Sequence, residues 1–399
     1  MPLLLIVRFF LSLFSWALVG VAAYLLWAWY QGDYVANSEG VWLHVRESWR
    51  LWTGLGVSVW SLGGGSLLLR PFLAKPDREP LNPHRGDGEI IDGANGAKLY
   101  VETSGPQDGP CLILTHGWGL DSTIWAYARR DLSKTFRLVL WDLPGMGKSR
   151  AGPDGVHLSC FAEDLARVID YSGARRVVLV GHSIGGMTTQ TLARDRRDLF
   201  EAPEAFENQV AGVVLVNTTD HNPLDTMIFS KLALALRPVI EVMMRVTTWL
   251  EPLAMLSAWQ GYLNGSAHIA NRLGFGPHVT HSQLNHTAYL SSRNSQRAQA
   301  LGNLSMFRWD ATGAFAGLDT PVLVLGGKLD ILTKPEASRA IAASARKGQL
   351  HLVDDANHMG FVECAAVYNQ AIARFAAQAL VPQAAADSAV APLRRPLTA

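Results

Sequence analysis

The stretch VVLVGHSIGGMTTQ (residues 177–190) runs four apolar residues into a glycine-flanked serine and then into a helical pattern. The apolar run reads as a buried strand. Small residues at 181 and 185 let the backbone fold sharply, and such an elbow exposes the Ser183 oxygen above the edge of a sheet. The following helix aims its first N–H groups and the positive end of its dipole at developing negative charge. A tight turn accounts for the glycines alone; a nucleophile accounts for the serine as well. The neighbouring strands decide between the two.

Four further runs, CLILTHG, RLVLWDLPG, GVVLVNTT and PVLVLGG, each end in a polar or glycine turn, and KLYVETSG alternates as an earlier strand. Near-continuous apolar runs suit strands buried on both faces of a parallel sheet. Helical patterns lie between them, as in CFAEDLARVIDYSG, where Phe161, Leu165, Val168 and Ile169 share one face. The expected fold class is therefore α/β, a doubly wound, mostly parallel sheet. Ligands of such sheets bind beyond the carboxyl ends of the strands. Residues 220–312 break the alternation with strongly apolar helices, and an insertion of that size reads as a lid. Met243, Met244, Met255, Trp249 and Trp259 either face an acyl chain there or pack the lid onto the main domain.

A serine hydroxyl needs a base to take its proton. His358, in HLVDDANHMGFVE, follows a strand and precedes a terminal helix, which places it at the same edge as Ser183. His182 adjoins the serine but points elsewhere on a strand-turn and reads as a packing residue. His116, in THGWG, reads as a brace for its loop. Asp330, in PVLVLGGKLDILTKPE, lies just past a strand and is expected to orient the imidazole. Asp220 is its rival; Asp354 and Asp355 approach His358 from a poor direction. The oxyanion donors are expected to be the backbone N–H groups of Ile184, after the nucleophile, and Trp118, in the HGWG loop. HVTHSQLNH (278–286) has no neighbouring carboxylate or cysteine and reads as polar lid surface, not a metal site.

With these motifs in place, the chain resembles a serine hydrolase of the α/β-hydrolase fold, esterase- or lipase-like. THGWG, WDLPGMGKS, GHSIGG, GGKLD and ANHMG occur in that family's order, across roughly residues 89–380. The resemblance makes DLPGMGKS a structural turn beneath the oxyanion loop; it lacks the spacing of a phosphate loop. Epoxide hydrolases and haloalkane dehalogenases of the same fold carry aspartate as nucleophile, and Ser183 argues against both. No metal or organic cofactor is implied. The shared acyl-enzyme leaves acyl transfer and thioester cleavage open beside ester hydrolysis. A non-catalytic binding protein on this fold would usually have lost a triad member.

The N-terminal region is foreign to that family. FFLSLFSWALVGVAAYLLWAWY (9–30) is uncharged, and about 22 residues at 1.5 Å span a bilayer core. Its apolar run is long for a signal peptide, and Trp27, Trp29 and Tyr30 crowd one end as an interfacial belt would. LWTGLGVSVWSLGGGSLLL (51–69) is also uncharged but carries five glycines, and reads as a second crossing or a surface-lying segment. Arg70, Lys75, Arg78 and Arg85 follow it, against Arg46 and Arg50 between the runs. The positive-inside rule then favours a hairpin with the catalytic part cytoplasmic. The expected organisation is a membrane anchor of one or two segments over 1–69, a linker over 70–88, the hydrolase core over 89–219 and 313–380, and a disordered tail over 381–399. Net charge of +1 offers no nucleic-acid footprint. Cys111, Cys160 and Cys364 suggest neither a disulfide framework nor a zinc site. The expected partners are the membrane and a small-molecule or lipid ester.

Overall fold

The uncharged N-terminal run forms a single helix in a computed structural model that describes residues 2–153, 155–201 and 209–380. This helix, α1 (Pro2–Gln31), ends in a two-stranded hairpin, Asp33–Ala36 against Trp42–Val45. The chain then returns through α2 (Ser48–Val59), a π-helical turn (Trp60–Gly64) and α3 (Gly65–Leu73). Arg50 pairs with Asp33, and Gly54 lies against Ala22 and Leu26, so the two arms run antiparallel. The glycines have a structural consequence: Gly63 takes φ +140° inside the π turn and breaks the second run. Among the described residues one helix is long and apolar enough to cross a membrane, with Phe9–Gln31 at a mean hydropathy of 2.1.

Residues 70–88 are a docked strap where a linker was expected. Their proline and charge content resembles a solvated spacer, yet several of these residues meet specific partners. Lys75 exchanges backbone bonds with Val279 and His281, Asp77 accepts the Ser282 N–H and hydroxyl, and Leu81 is buried. Arg85 reaches Asp121 at 2.8 Å and Asp142 at 2.9 Å, both carboxylates inaccessible to solvent.

The sheet has eight strands: β1 (Gly88–Asp92), β2 (Lys98–Ser104), β3 (Cys111–Thr115), β4 (Arg137–Trp141), β5 (Arg176–His182), β6 (Gln209–Val216), β7 (Val322–Gly327) and β8 (Gly348–Val353). Their spatial order is β8-β7-β6-β5-β3-β4-β2-β1. The strands from β3 to β8 are parallel, while β1 and β2 are antiparallel additions at one edge. The sequence reading missed β1, whose residues Gly88, Glu89 and Ile90 lie exposed on the outer strand.

Period-two alternation divides the core between the two faces. Ile113, Val177 and Leu179 pack with α4 (Leu158–Ser172) and α5 (Ile184–Asp195). Leu112, Val178 and Val180 face the opposite layer, which includes the C-terminal helix over Ala365–Leu380. The chain leaves β3 for β4 on one side, then returns to place β5 on the other. The carboxyl ends of β3 and β5 therefore form the topological switch point, where a crevice opens.

The insertion between β6 and β7 contains α6 (Arg237–Trp249), α7 (Glu251–Leu263), α8 (Ser266–Arg272), α9 (His281–Arg293) and α10 (Gln296–Met306). Met244 is buried in it, and Trp259 packs edge-on to Tyr262 and Tyr289. Trp249, expected either to face an acyl chain or to pack on the main domain, points outward at 82% exposure.

Removing Arg85 strands two buried carboxylates, and breaking a buried pair costs about 3–5 kcal/mol. Arg85→Ala is expected to lose stability on that scale in urea unfolding of the full chain in detergent. A loss below about 1 kcal/mol, the range of an exposed pair, would contradict the docked strap.

Candidate active site

At the end of β5, Ser183 adopts φ +52° and ψ −115°, a conformation that residues with a Cβ rarely hold. Such strain costs on the order of 1–3 kcal/mol and persists only where neighbours enforce it. Here the enforcement comes from the end of β6. The Ser183 N–H donates to the Val216 carbonyl at 2.9 Å, and the Thr218 hydroxyl donates to the Ser183 carbonyl at 2.7 Å. The flanking glycines make room: a Cβ on Gly181 would lie 2.5 Å from the Gly185 carbonyl carbon, and one on Gly185 only 2.4 Å from the Thr115 oxygen. The first bond of α5 runs from the Met187 N–H to the Ser183 carbonyl. The Ile184 N–H, lying before it, has no intrahelical acceptor.

Ser183, His358 and Asp330 come together from the ends of β5, β8 and β7. The Ser183 hydroxyl lies 3.1 Å from His358 Nε2, and His358 Nδ1 lies 3.0 Å from Asp330 Oδ2. All three side chains are buried. Burial alone would raise the Asp330 carboxyl, but the His358 contact and its other donors hold it below the ordinary carboxylate range.

Those donors include residues that the sequence reading missed. Asp330 Oδ1 accepts the N–H groups of Leu332 and Thr333 in an Asx-type turn, and Oδ2 accepts the Thr333 hydroxyl at 2.8 Å. Asn217, itself at φ +44°, donates its amide to Asp330 Oδ2 at 3.0 Å and to the Asn357 carbonyl at 3.2 Å. The Tyr368 hydroxyl donates to Asn217 Oδ1 at 3.0 Å. The available signal was Asn217 at the carboxyl end of GVVLVNTT, the same kind of strand end that marked Asp330.

The opposite wall follows β3. His116 Nδ1 donates to the Gly117 carbonyl at 2.8 Å, while its Nε2 accepts the Leu143 N–H at 2.9 Å. This histidine thus braces the loop, as its position suggested. The Trp118 indole donates to the Gln299 carbonyl of α10 at 3.0 Å, and Trp118 lines a cavity of about 80 Å³ shared with Ser183 and His358. A smaller recess of about 10 Å³ lies beside Ser183, lined by Met187, Met227 and Met306. The DLPGMGKS turn folds around Asp142, which accepts the Lys148 N–H and the Ser122 N–H. These amides face a carboxylate, which rules them out as a phosphate cradle.

The remaining polar residues fall elsewhere. Asp220 pairs with His221 at 2.7 Å, Asp354 with Lys328, and Asp355 approaches His278. His182 donates from Nε2 to the His358 carbonyl at 3.1 Å and packs on Phe361. Burial, then the adjoining His358, pushes its imidazole well below the ordinary histidine range. HVTHSQLNH corrects the expectation of a polar surface. It caps and begins α9, whose Leu284, Thr287 and Ala288 are buried, and His286 Nε2 contacts the Thr123 hydroxyl at 2.9 Å. Burial lowers His286 to about 4. Among the described residues no cluster of three or more His, Cys, Asp or Glu side chains is arranged to hold a metal.

Comparison with known proteins fits this arrangement. Residues 112–371 match the model of the alpha/beta hydrolase family. A segment of 93 residues is 38% identical to the bifunctional esterase/perhydrolase DCH of Acinetobacter calcoaceticus, covering 23% of this chain but only 34% of that protein. Over 290 residues the chain is 26% identical to the pimeloyl-[acyl-carrier protein] methyl ester esterase of Nitrosospira multiformis, covering 70% of this chain and 98% of that one. Among solved structures, the esterase EaEST from Exiguobacterium antarcticum superposes with a TM-score of 0.58 at 18% identity, covering 73% of this chain and all of that one. That likeness shows the shared fold.

The buried histidines make stability depend on pH. Unfolded histidine gains a proton near pH 6.5, whereas folded His286 stays neutral until about 4. Its depressed value costs nothing above pH 6.5 and removes stability progressively as pH falls from there toward 4. His286→Gln is therefore expected to show a shallower fall in melting temperature between pH 7 and 4.5 than the unaltered chain. Parallel curves would contradict a neutral His286 in the folded chain.

Proposed function

This chain belongs to the alpha/beta hydrolase family, and we propose that it is a membrane-anchored serine hydrolase that cleaves a carboxylic ester of lipid-like character. The observation that carries the reading is the hydrogen-bonded line from Ser183 through His358 to Asp330. As the Ser183 oxygen attacks the ester carbonyl, its proton passes to His358 Nε2. Asp330 accepts the Nδ1 proton as a hydrogen bond, fixes the tautomer and stabilises the imidazolium. The N–H groups of Ile184 and Trp118 receive the oxyanion of the tetrahedral intermediate. Collapse breaks the bond to the alkoxy oxygen, which leaves as the alcohol carrying the proton from His358. Water, deprotonated by His358, then attacks the acyl-enzyme; the acid departs and Ser183 regains its proton.

Two features support the lipid-like substrate and the anchor. The lid insertion is apolar, and α1 leaves Phe10, Phe14, Tyr24 and Trp27 more than half exposed. An apolar surface of that extent marks a membrane or partner contact. Arg46 stacks over Trp29 and Tyr30 at the far end of α1, while Arg70, Lys75 and Arg78 lie on the near side. That balance supports a cytoplasmic catalytic part.

A fluorophosphonate probe is expected to label the folded chain and to leave Ser183→Ala unlabelled. Failure to label the unaltered chain would overturn the reading. Asp330→Asn should lower kcat about 10⁴-fold, since it favours the wrong tautomer of the histidine; a loss below tenfold would remove Asp330 from the mechanism. The anchor predicts retention in membrane pellets after carbonate extraction, and release into the supernatant would contradict it.

A further inference from the structure

The N-terminal helix reaches into the lid. Near its start the hydroxyls of Ser12 and Ser257 bond to each other, and the Trp16 indole donates to the same Ser257 oxygen at 3.2 Å. One turn along, the Asn264 amide donates to the buried Ser15 hydroxyl at 2.6 Å. These contacts seat α1 on α7 and on the turn between α7 and α8. Between α1 and the lid helices lies a cavity of about 250 Å³, about three times the volume of the one at Ser183.

Its walls are mostly apolar. Phe9 and Leu11 of α1, Ile240 and Met243 of α6, and Ala254 and Ala258 of α7 line it, with Ser12, Thr247 and Ser257 between them. Ser291 and Gln299 line both this cavity and the catalytic one, and so form the boundary between them. That boundary is polar and internally satisfied. The Gln299 amide donates to the Ser291 carbonyl at 3.1 Å, and the Gln299 carbonyl receives the Trp118 indole. The Met-lined recess of about 10 Å³ beside Ser183 is too small for a long chain, whereas the larger chamber adjoins the catalytic cavity at Ser291 and Gln299.

We propose that this chamber holds the acyl chain of the substrate and that α1 is one of its walls, making the anchor part of the binding site. The inference rests on the ester-hydrolase reading and adds to it a substrate class and a second role for the N-terminal helix. Chains that fill the chamber gain the transfer free energy of each buried methylene, about fourfold in kcat/KM per group. Short acyl groups reach only the smaller cavity beside Ser183.

The full chain in detergent micelles can be assayed with p-nitrophenyl acetate and p-nitrophenyl decanoate, the readout being the decanoate-to-acetate ratio of kcat/KM. Leu11→Trp on α1 and Ala258→Trp on α7 each narrow the chamber from a different wall. Each is expected to lower the ratio at least tenfold. Phe10→Ala, whose side chain faces outward at 64% exposure, is expected to keep it within twofold. A ratio unchanged in both tryptophan variants, or lowered equally in Phe10→Ala, overturns the chamber while acetate turnover leaves the hydrolase reading standing. If the unaltered chain turns over neither ester, the hydrolase reading fails and the chamber with it.

Discussion

A single strained residue organises the functional half of this molecule. Ser183 can hold φ +52° only because the end of β6 grips it from both sides, through the Val216 carbonyl and the Thr218 hydroxyl. The same grip explains why glycine is needed at 181 and 185, where α5 comes down onto the strand ends. Relax the turn and the hydroxyl leaves the line to His358, while the first amides of α5 lose their aim. The strain is local, but its compensation extends across β3, β5 and β6.

Much of this was legible from residue pattern. Buried parallel strands announce themselves as apolar runs, and GHSIG stands where a strand must become a helix. Asp330 and His358 follow from the same rule about strand ends. What escaped was what burial alone decides. Asn217, Thr333 and Tyr368 are ordinary polar residues in sequence, and only packing turns the first two onto Asp330 and the third onto Asn217. The strap over 70–88 misled for a related reason, because charge and proline look alike whether solvated or paired with Asp121 and Asp142. Trp249 shows the converse: a large apolar side chain in a lid need not face inward.

Histidine chemistry is divided among residues by environment. His358 alone has a serine on one nitrogen and a carboxylate on the other. His116 and His182 are buried and His286 half-buried, and desolvation lowers the pKa of each below the ordinary histidine range. They serve as rigid, uncharged spacers around the site. A proton on any of them would place a cation in poorly solvated surroundings, where nearby carboxylates offset only part of the desolvation cost.

The residues that clamp Ser183 are also the stem of the lid. Asn217 and Thr218 directly follow the strand from which the inserted helices depart, and they are tied to Asp330 and Ser183 before the insertion begins. The geometry of Ser183 and the attachment of the insertion are thus written in one short segment. Anyone exchanging this lid for that of a relative, to alter which esters enter, would need to keep the junction through Thr218 and graft beyond it. Divergence of the lid is constrained at its root and free at its tip.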